Sequence, residues 1–480
     1  MIEKRQFYIN GAWLDPVAGT DHEVINPSNE EACAIISLGG QADTDAVVAA
    51  AKAAFPAWMA TPVADRIAMA EKLMAAYDAR AEDMAQAISL EMGAPIDMAR
   101  SDQTGAGSYH IGGFINAAKE FQFDHVHDPN TPGSMIFHEP IGVVALITPW
   151  NWPMNQVTLK VVAAAIAGCT MVLKPSEESP LSSIVFAEMM DAAGFPAGVF
   201  NLVNGDGVGV GTQLSTHEDV DMVSFTGSSR AGKLISKAAA DTLKRVSLEL
   251  GGKGANLIFD DADEKAVKRG VLHCMNNSGQ SCNAPTRMIV QRGVYDQAVE
   301  TAAEVANSIK VGPASESGRH IGPVVNAVQF GKIQDLIQTG IDEGARLVAG
   351  GTGRPEGMNR GFYVRPTVFA DVTPDMTIAR EEIFGPVLSI MAFDTEEEGI
   401  AMANDTVYGL TNYAQTGDPS RANRLARALR AGMVEINGQS RGAAAPFGGM
   451  KQSGNGREGG KWGIEDFLEV KSVSGYTPGA

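Results

Sequence analysis

Residues 142–174 read GVVALITPWNWPMNQVTLKVVAAAIAGCTMVLK, and their organisation decides the fold class. An apolar run at 143–147 ends in the turn Thr148-Pro149-Trp150-Asn151-Trp152-Pro153. A second run, 161–173, is bracketed by Lys160 and Lys174 and is too short to cross a bilayer, so it belongs inside a protein. The same rhythm continues downstream. Short apolar runs at 171–173, 199–203, 222–225 and 255–259 alternate with helical periodicity at 182–193 and 231–243. These are βαβ units of a doubly wound parallel sheet, an architecture whose default ligand is a dinucleotide.

Outward from this stretch the chain keeps an α/β character. Residues 41–95 read as helices: Asp43 is expected to cap one, and Thr61-Pro62 to open another with Ile67, Met69, Ala70, Leu73 and Met74 on one face. Gly93 and Pro95 end that block. A second alternating stretch begins near Asp261, read as the cap of a helix running to about Asn277, and continues through a strand at 287–291. Gly/Pro-rich segments at 348–361 and 438–460 read as long loops of the kind that carry function. Residues 121–139, with His125, His127 and His138 in alternation, suit a two-stranded ribbon with surface histidines rather than a metal site.

Composition narrows the function classes. The chain has 480 residues, enough for several lobes with their own cores, and 38 Lys+Arg against 57 Asp+Glu, a formal net charge of −19. A phosphate backbone is bound by clustered cations, so nucleic acid is not an expected partner. The 4 cysteines, Cys33, Cys169, Cys274 and Cys282, form no CxxC pair and no zinc spacing, and read as reduced thiols. Residues 1–16 carry no apolar core of signal-peptide length. A cytoplasmic location, no membrane partner and no metal are therefore expected.

Four constellations carry chemistry. Phe225-Thr226-Gly227-Ser228-Ser229-Arg230-Ala231-Gly232-Lys233 is a strand end with a glycine turn opening a helix, suited to a diphosphate. Leu234 stands where a P-loop needs a hydroxyl, which argues against a nucleotide triphosphatase. Cys282, in Asn276-Asn277-Ser278-Gly279-Gln280-Ser281-Cys282-Asn283, occupies a polar loop and is a candidate nucleophile; its thiolate needs a nearby base or positive dipole. Cys274 and Cys169 read as core. In Leu248-Glu249-Leu250-Gly251-Gly252-Lys253, burial would raise the carboxyl pKa and make Glu249 a usable general base. Asn151, held between prolines, can donate to an oxyanion, and Lys174 with Glu177 lie where a ribose would rest at the carboxyl edge of the sheet. Taken singly, each segment also reads as a turn, a core thiol, a solvated glutamate or a packing motif.

Taken together and in this order, with Glu381-Glu382-Ile383-Phe384-Gly385-Pro386 and Ala445-Pro446-Phe447-Gly448-Gly449-Met450-Lys451-Gln452-Ser453-Gly454, they resemble the NAD(P)-dependent aldehyde dehydrogenase superfamily over nearly the whole chain. The resemblance implies two doubly wound parallel-sheet domains plus a small β oligomerisation arm. It places the cofactor domain at 1–122 and 141–250, the catalytic domain at 251–456, and the arm at 123–140 and 457–480, forming a homodimer or homotetramer. It makes Cys282 the nucleophile, Glu249 the base that hydrolyses the thioester, Asn151 with the Cys282 N–H the oxyanion hole, and Lys160 an aid to proton movement. Relatives that pass the acyl group to coenzyme A lack a glutamate at the position of Glu249, so hydrolysis to the acid is expected. Gly227 and Ser228 match the diphosphate turn; Trp150, Gly207, Gly211 and Phe225 the adenosine side; Lys174 and Glu177 the adenosine ribose; and Glu382 and Phe384 the nicotinamide ribose, with Leu250 beside them. A carboxylate at Glu177 favours NAD over NADP. Trp152, Asn155, Gln156, Leu159, Asn276, Ser281, Asn283 and Phe447 match the aldehyde tunnel, with Arg441 at its mouth. That lining suits a small or polar aliphatic aldehyde, including one with a carboxylate. A cysteine-dependent acyl hydrolase or transferase without a redox cofactor, a coenzyme A-acylating enzyme and a catalytically silent relative are the competing readings.

Overall fold

The computed structural model describes residues 1–442 and 444–477. The last three residues of the expected arm, 478–480, lie outside the described residues. Two seven-stranded sheets dominate. The first runs Arg245–Glu249, Met222–Thr226, Val143–Ile147, Thr170–Lys174, Phe200–Leu202, Phe7–Ile9, Ala12–Leu14. Its first five strands are parallel, and the N-terminal hairpin adds antiparallel at one edge. Chain order reverses between Val143–Ile147 and Met222–Thr226, the switch point at which such sheets open a crevice. The loops leaving those two strands are the Trp-Asn turn and the Gly227-Ser228 turn.

The helix Pro153–Ala167 explains why residues 142–174 dominate the first core. Every residue in it except Asn155 is buried, as expected of a helix apolar on all sides. Gly168, in the left-handed region at φ 99°, ends it and turns the chain into Thr170–Lys174. The second sheet runs Arg346–Ala349, Thr367–Ala370, Val387–Phe393, Arg287–Gln291, Ala255–Ile258, Thr411–Gln415, Met433–Ile436, parallel except at its first edge. The carboxyl edge of the first sheet passes directly into the amino edge of the second through Leu250 to Gly254. The ribbon expected at 121–139 is present as Asp124–Val126 and Met135–Pro140, and Leu468–Val473 pairs antiparallel with the latter to make three strands. A further small sheet of Ile2–Lys4, Glu31–Leu38 and Thr20–Asn26 was not legible from the sequence. Among the described residues no helix is long and apolar enough to cross a membrane.

Of three expected caps, Asp43 acts from inside its helix and the other two are corrected. Gly40 caps the helix Gln41–Met59, and Asp43 sits one turn inside it, where its carboxylate accepts from Gly40 N at 2.9 Å and Val17 N at 2.7 Å. The helix Val63–Ala79 starts after Pro62, and the Thr61 hydroxyl donates backwards to Ala57 O at 3.0 Å. Asp261 is held by Arg421 and the Thr416 hydroxyl, each at 2.9 Å, so the next helix spans only Ala266–Met275. Asp261 is drawn off by tertiary partners and Thr61 by the last turn of the preceding helix, whereas Asp43 keeps its local bond to Gly40 N and holds Val17 N as well.

A cap supplied from another helix lies in the first core. Glu91 is fully buried, and its carboxylate accepts from Leu181 N at 2.5 Å and Ser182 N at 3.1 Å, two unpaired donors at the start of Pro180–Ala192. Glu91→Ala, which strands both donors, lowers the unfolding free energy by about 3 kcal/mol in urea titration, and Glu91→Gln, which keeps one acceptor, loses less.

Candidate active site

The crevice between the two sheets is closed from both sides by hydrogen bonds. Asn151 is buried, its backbone oxygen accepts from Gln103 Nε2 at 3.1 Å and Asn277 Nδ2 at 2.9 Å, and its own Nδ2 donates to Gln280 O at 2.9 Å. Next to it, Trp152 Nε1 donates to Ser281 Oγ at 2.7 Å. The Trp-Asn turn of the first sheet is thereby fastened to the two residues preceding Cys282. Between the helix Ala266–Met275 and that cysteine, Asn277, Ser278 and Gly279 take φ of 51°, 56° and 72°. Such a left-handed run persists only where tertiary contacts hold it. Here Asn277 bonds to Asn151, and Ser278 Oγ donates to Gly322 O at 2.7 Å.

Cys282 is partly buried and lines a cavity of about 210 Å³. The structure brings Trp150, Asn151, Gln156, Gly227, Ser228, Leu250, Glu382 and Phe384 to the same cavity. The thiol is pushed up from its ordinary pKa by burial first, then by the carboxylates of Glu382 and Glu249, while its own backbone N–H pulls it down. The positive dipole expected to form a thiolate is therefore outweighed. Cys169 and Cys274 are fully buried, as expected of core thiols.

Glu249, the last residue of Arg245–Glu249, is 2% exposed, and neither carboxylate oxygen has a hydrogen-bond partner. Burial raises its pKa well above the usual carboxyl range, Glu458 adds to the rise, and Lys160 and Arg457 oppose it. The carboxylate rests against the 448–456 loop: a Cβ on Gly448 would come within 2.7 Å of Oε1, and one on Gly456 within 3.0 Å. It does not line the 210 Å³ cavity, although its charge acts on the thiol. Lys160 is 1% exposed and donates to Glu458 Oε1 at 2.5 Å and Ser224 Oγ at 3.1 Å. Glu458, a charge among the glycines of 438–460, is the site residue that sequence reading missed in this cluster.

At the other end of the cavity Glu382 Oε1 accepts from Gly252 N at 2.8 Å, and Phe384, at φ 60°, sets its ring edge-on to Trp150 at 5.5 Å between centroids. Gln329 and Lys332, which no sequence motif marked, hold this strap by donating to Phe384 O and Glu382 O, each at 2.8 Å. Lys174 and Glu177 form a separate station with Gly205, away from the 210 Å³ cavity, and Gly207 and Gly211 follow Gly205 in the chain. The buried Lys174 ammonium donates to Pro175 O at 2.8 Å, to Gly205 O and to Glu177 Oε2 at 3.4 Å, and burial lowers its pKa. Its contacts fasten the 174–177 segment to the 205–211 loop. Phe225 is buried, its ring 2.4 Å from where a Cβ on Gly227 would stand.

Apart from the cavity at Cys282, Arg441 and Phe447 line a small cavity of about 40 Å³ with Tyr109, His110, Leu159 and Glu458. The Arg441 guanidinium lies 4.9 Å from the Phe447 ring centroid. Asn283 is tied by its backbone oxygen to the Tyr413 hydroxyl at 2.6 Å. Asn276 lines a third, larger cleft of about 970 Å³ with His273 and Tyr413.

Comparison with known proteins agrees with this geometry. The model of the "Aldehyde dehydrogenase family" matches residues 13–473. A 3-succinoylsemialdehyde-pyridine dehydrogenase of a Pseudomonas species is 49% identical over 99% of each chain. A solved aldehyde dehydrogenase of Bartonella henselae, 59% identical, covers 99% of this chain and 100% of its own with a TM-score of 0.98. A mutant aldehyde dehydrogenase C of Pseudomonas syringae, solved with NAD+ and octanal, is 48% identical with a TM-score of 0.96, covering 99% of this chain and 98% of its own.

The junction at Gly252 offers a test of the site. A Cβ there would stand 2.2 Å from the Cys282 carbonyl oxygen, a backbone atom that cannot swing aside. Gly252→Ala shifts the 280–283 loop, so the alkylation rate of Cys282 by iodoacetamide changes while circular dichroism stays that of the wild type.

Proposed function

The chain belongs to the aldehyde dehydrogenase family, and from that membership we propose that it oxidises an aldehyde to a carboxylic acid with NAD, through a thioester on Cys282 that Glu249 hydrolyses. The observation that carries the assignment of roles is the pairing of a crevice thiol with a buried carboxyl whose two oxygens are both unpartnered. A structural glutamate in a dry core would be hydrogen-bonded.

The crevice fits a dinucleotide by its own chemistry. Thr226 Oγ1 and Gln156 Oε1 line it as buried polar atoms with no partner, and Gly251 leaves room that a Cβ would deny, since it would fall 2.4 Å from Glu382 Oε2. Gly227 and Ser228 would hold the diphosphate; Trp150, Phe225, Gly207 and Gly211 the adenosine; Lys174 and Glu177 its ribose; and Glu382, Phe384 and Leu250 the nicotinamide end. The carboxylate of Glu177 favours NAD over NADP. When bound, NAD supplies the acceptor for the hydride that leaves the aldehyde carbon.

The rest is the work of this chain's residues. The Cys282 thiol loses its proton to solvent, and its sulfur bonds to the carbonyl carbon as the C=O π pair moves onto oxygen, forming a thiohemiacetal. The oxygen, which takes up negative charge, is held by Asn151 Nδ2 and the Cys282 N–H. The Nδ2 bond to Gln280 O fixes the amide and leaves one N–H free for this purpose. After oxidation the acyl group is a thioester. Glu249 removes a proton from water as the water's oxygen attacks, the carbon–sulfur bond breaks, and the sulfur recovers a proton. Lys160 and Glu458 lie behind Glu249 as a buried pair through which that proton can be passed on.

The substrate is proposed to be a small or polar aliphatic aldehyde bounded by Trp152, Gln156, Ser281, Asn283 and Phe447, with Arg441 at the mouth. We assign NAD binding to residues 1–122 and 141–250, catalysis to 251–456, and oligomerisation to 123–140 with 457–480, giving a cytoplasmic homodimer or homotetramer. A cofactor-independent acyl hydrolase would leave Thr226, Gln156 and the Glu382–Phe384 strap without a role.

Two outcomes are expected. Cys282→Ala abolishes NADH formation on every aldehyde while NAD still quenches tryptophan fluorescence; a variant keeping most of its turnover would remove the nucleophile. Glu249→Gln gives one equivalent of NADH in a burst and then stalls at the thioester. Because burial raises the Glu249 pKa and only the carboxylate accepts the proton, wild-type kcat rises with pH through that raised value. The residual turnover of Glu249→Gln lacks this limb, as a stopped-flow pH series would read.

A further inference from the structure

The wall opposite Phe447 takes no part in the chemistry above. It is contributed by the helix Thr104–Glu120, through Tyr109 and His110. His110 Nε2 lies 2.7 Å from Asn155 Oδ1, and the Tyr109 ring stands edge-on to the imidazole at 5.3 Å. Burial, the dominant cause, lowers the His110 pKa to about 4, so the ring is neutral at neutral pH. Facing a carbonyl oxygen, it carries its hydrogen on Nε2. An asparagine whose oxygen is engaged this way presents its NH₂ group as the free edge.

Asn155 is also the only residue of Pro153–Ala167 that is not buried. It shares a helix face with Trp152 and Leu159, three residues before and four after. Trp152 begins that line against Ser281, beside the nucleophile, and Leu159 ends it in the cavity shared by His110, Arg441 and Phe447. Asn155 therefore stands about 4.5 Å along the helix axis from Trp152, the reach of a short aliphatic chain. Arg441 stacks on Phe447, its polar contact is Ala445 O at 3.3 Å, and among the described residues it makes no ion pair. The carboxylate on this cavity wall, Glu458, is already paired with Lys160 at 2.5 Å. Glu435 is the other carboxylate whose charge reaches Arg441, without forming an ion pair with it. What remains for a ligand is the amide N–H edge of Asn155 beside His110 and a guanidinium with no ion-pair partner among the described residues.

We propose that Asn155 and Arg441 clamp a carboxylate at the far end of a short-chain aldehyde, with His110 as the positioning residue that aims the Asn155 amide, so that the preferred substrates are ω-carboxy semialdehydes. The inference rests on the aldehyde oxidation proposed above and adds the selecting group. A neutral imidazole donor suits the task because it orients the amide without pairing with the incoming carboxylate itself.

The test compares two aldehydes of equal chain length, succinic semialdehyde and butanal, at saturating NAD with NADH as readout. Wild-type kcat/KM is expected to favour succinic semialdehyde. His110→Phe, which keeps the ring volume, and Asn155→Leu each reduce that preference ratio by about 10- to 100-fold, the value of a charge-assisted hydrogen bond, with the change carried by KM. His110→Gln, which can still donate to Asn155 Oδ1, retains most of the ratio. Equal losses on both aldehydes in His110→Phe would make His110 merely structural and overturn the clamp. Turnover of both aldehydes by the wild type without preference would overturn the clamp and leave aldehyde oxidation standing, whereas no NADH from any aldehyde would overturn both.

Discussion

The structure depends on how closely two backbones approach at Gly251 and Gly252. A Cβ on the first would fall 2.4 Å from Glu382 Oε2 and on the second 2.2 Å from Cys282 O. At Gly252 the obstacle is backbone and only hydrogen fits; at Gly251 it is the end of the Glu382 side chain, which would have to leave Gly252 N to make room. Because that space is empty, the carboxyl edge of one sheet can press against the amino edge of the other. The strand that ends in Glu249 then continues within three residues into contact with both the thiol loop and the Glu382–Phe384 strap. The same tight turn seals Lys253, whose ammonium is buried without a hydrogen-bond partner and lowered to about 7 by burial and by Arg287. A junction dry enough to hold a lysine in that state raises the cost of charge on the titratable groups packed beside it.

That dryness pushes thiol and carboxyl the same way. Glu382, Glu249 and Glu458 all raise the Cys282 pKa in addition to burial, so the resting sulfur holds its proton. A protonated thiol is a poor target for oxidants and alkylating agents, which react with the thiolate. Positive charge entering the crevice would work against each of these shifts and so favour the thiolate of the proposed nucleophile. Lys160 cannot supply that charge to the sulfur, because its ammonium is engaged by Glu458 and Ser224.

Much of this was legible because the decisive segments are local. The 142–174 stretch carries strand, turn and all-round apolar helix in unbroken order, and the Gly-Gly and Gly-Ser turns stand at strand ends where only short residues serve. What was missed depends on the fold. Glu458 lies in a glycine-rich loop 298 residues from its partner Lys160, and Gln329 and Lys332 reach the site from a helix face that reads as ordinary amphipathic sequence. His110 sits mid-helix with no flanking motif and acquires a role only when Asn155 is brought against it. The cap expected at Asp261 failed for the converse reason, because its carboxylate is held by Arg421 and Thr416, partners that a linear reading cannot see.

Burial separates the residues proposed for chemistry from those proposed for selection. Asn151, Glu249, Lys160 and Glu458 are each under 5% exposed and are fixed by backbone contacts, an ion pair or glycine-lined walls. A change at any of them opens a void or strands a charge, and close packing passes the disturbance to its neighbours. Arg441 is exposed, and Asn155 and Phe447 are only partly buried, on a loop and a single helix face. On the proposed roles, substitution there would alter what the mouth of the tunnel recognises without disturbing the contacts of Asn151 or the carboxyl of Glu249. A frame built this way can keep one reaction while its substrate changes, because the binding energy that discriminates between aldehydes comes from residues that the thioester steps do not use.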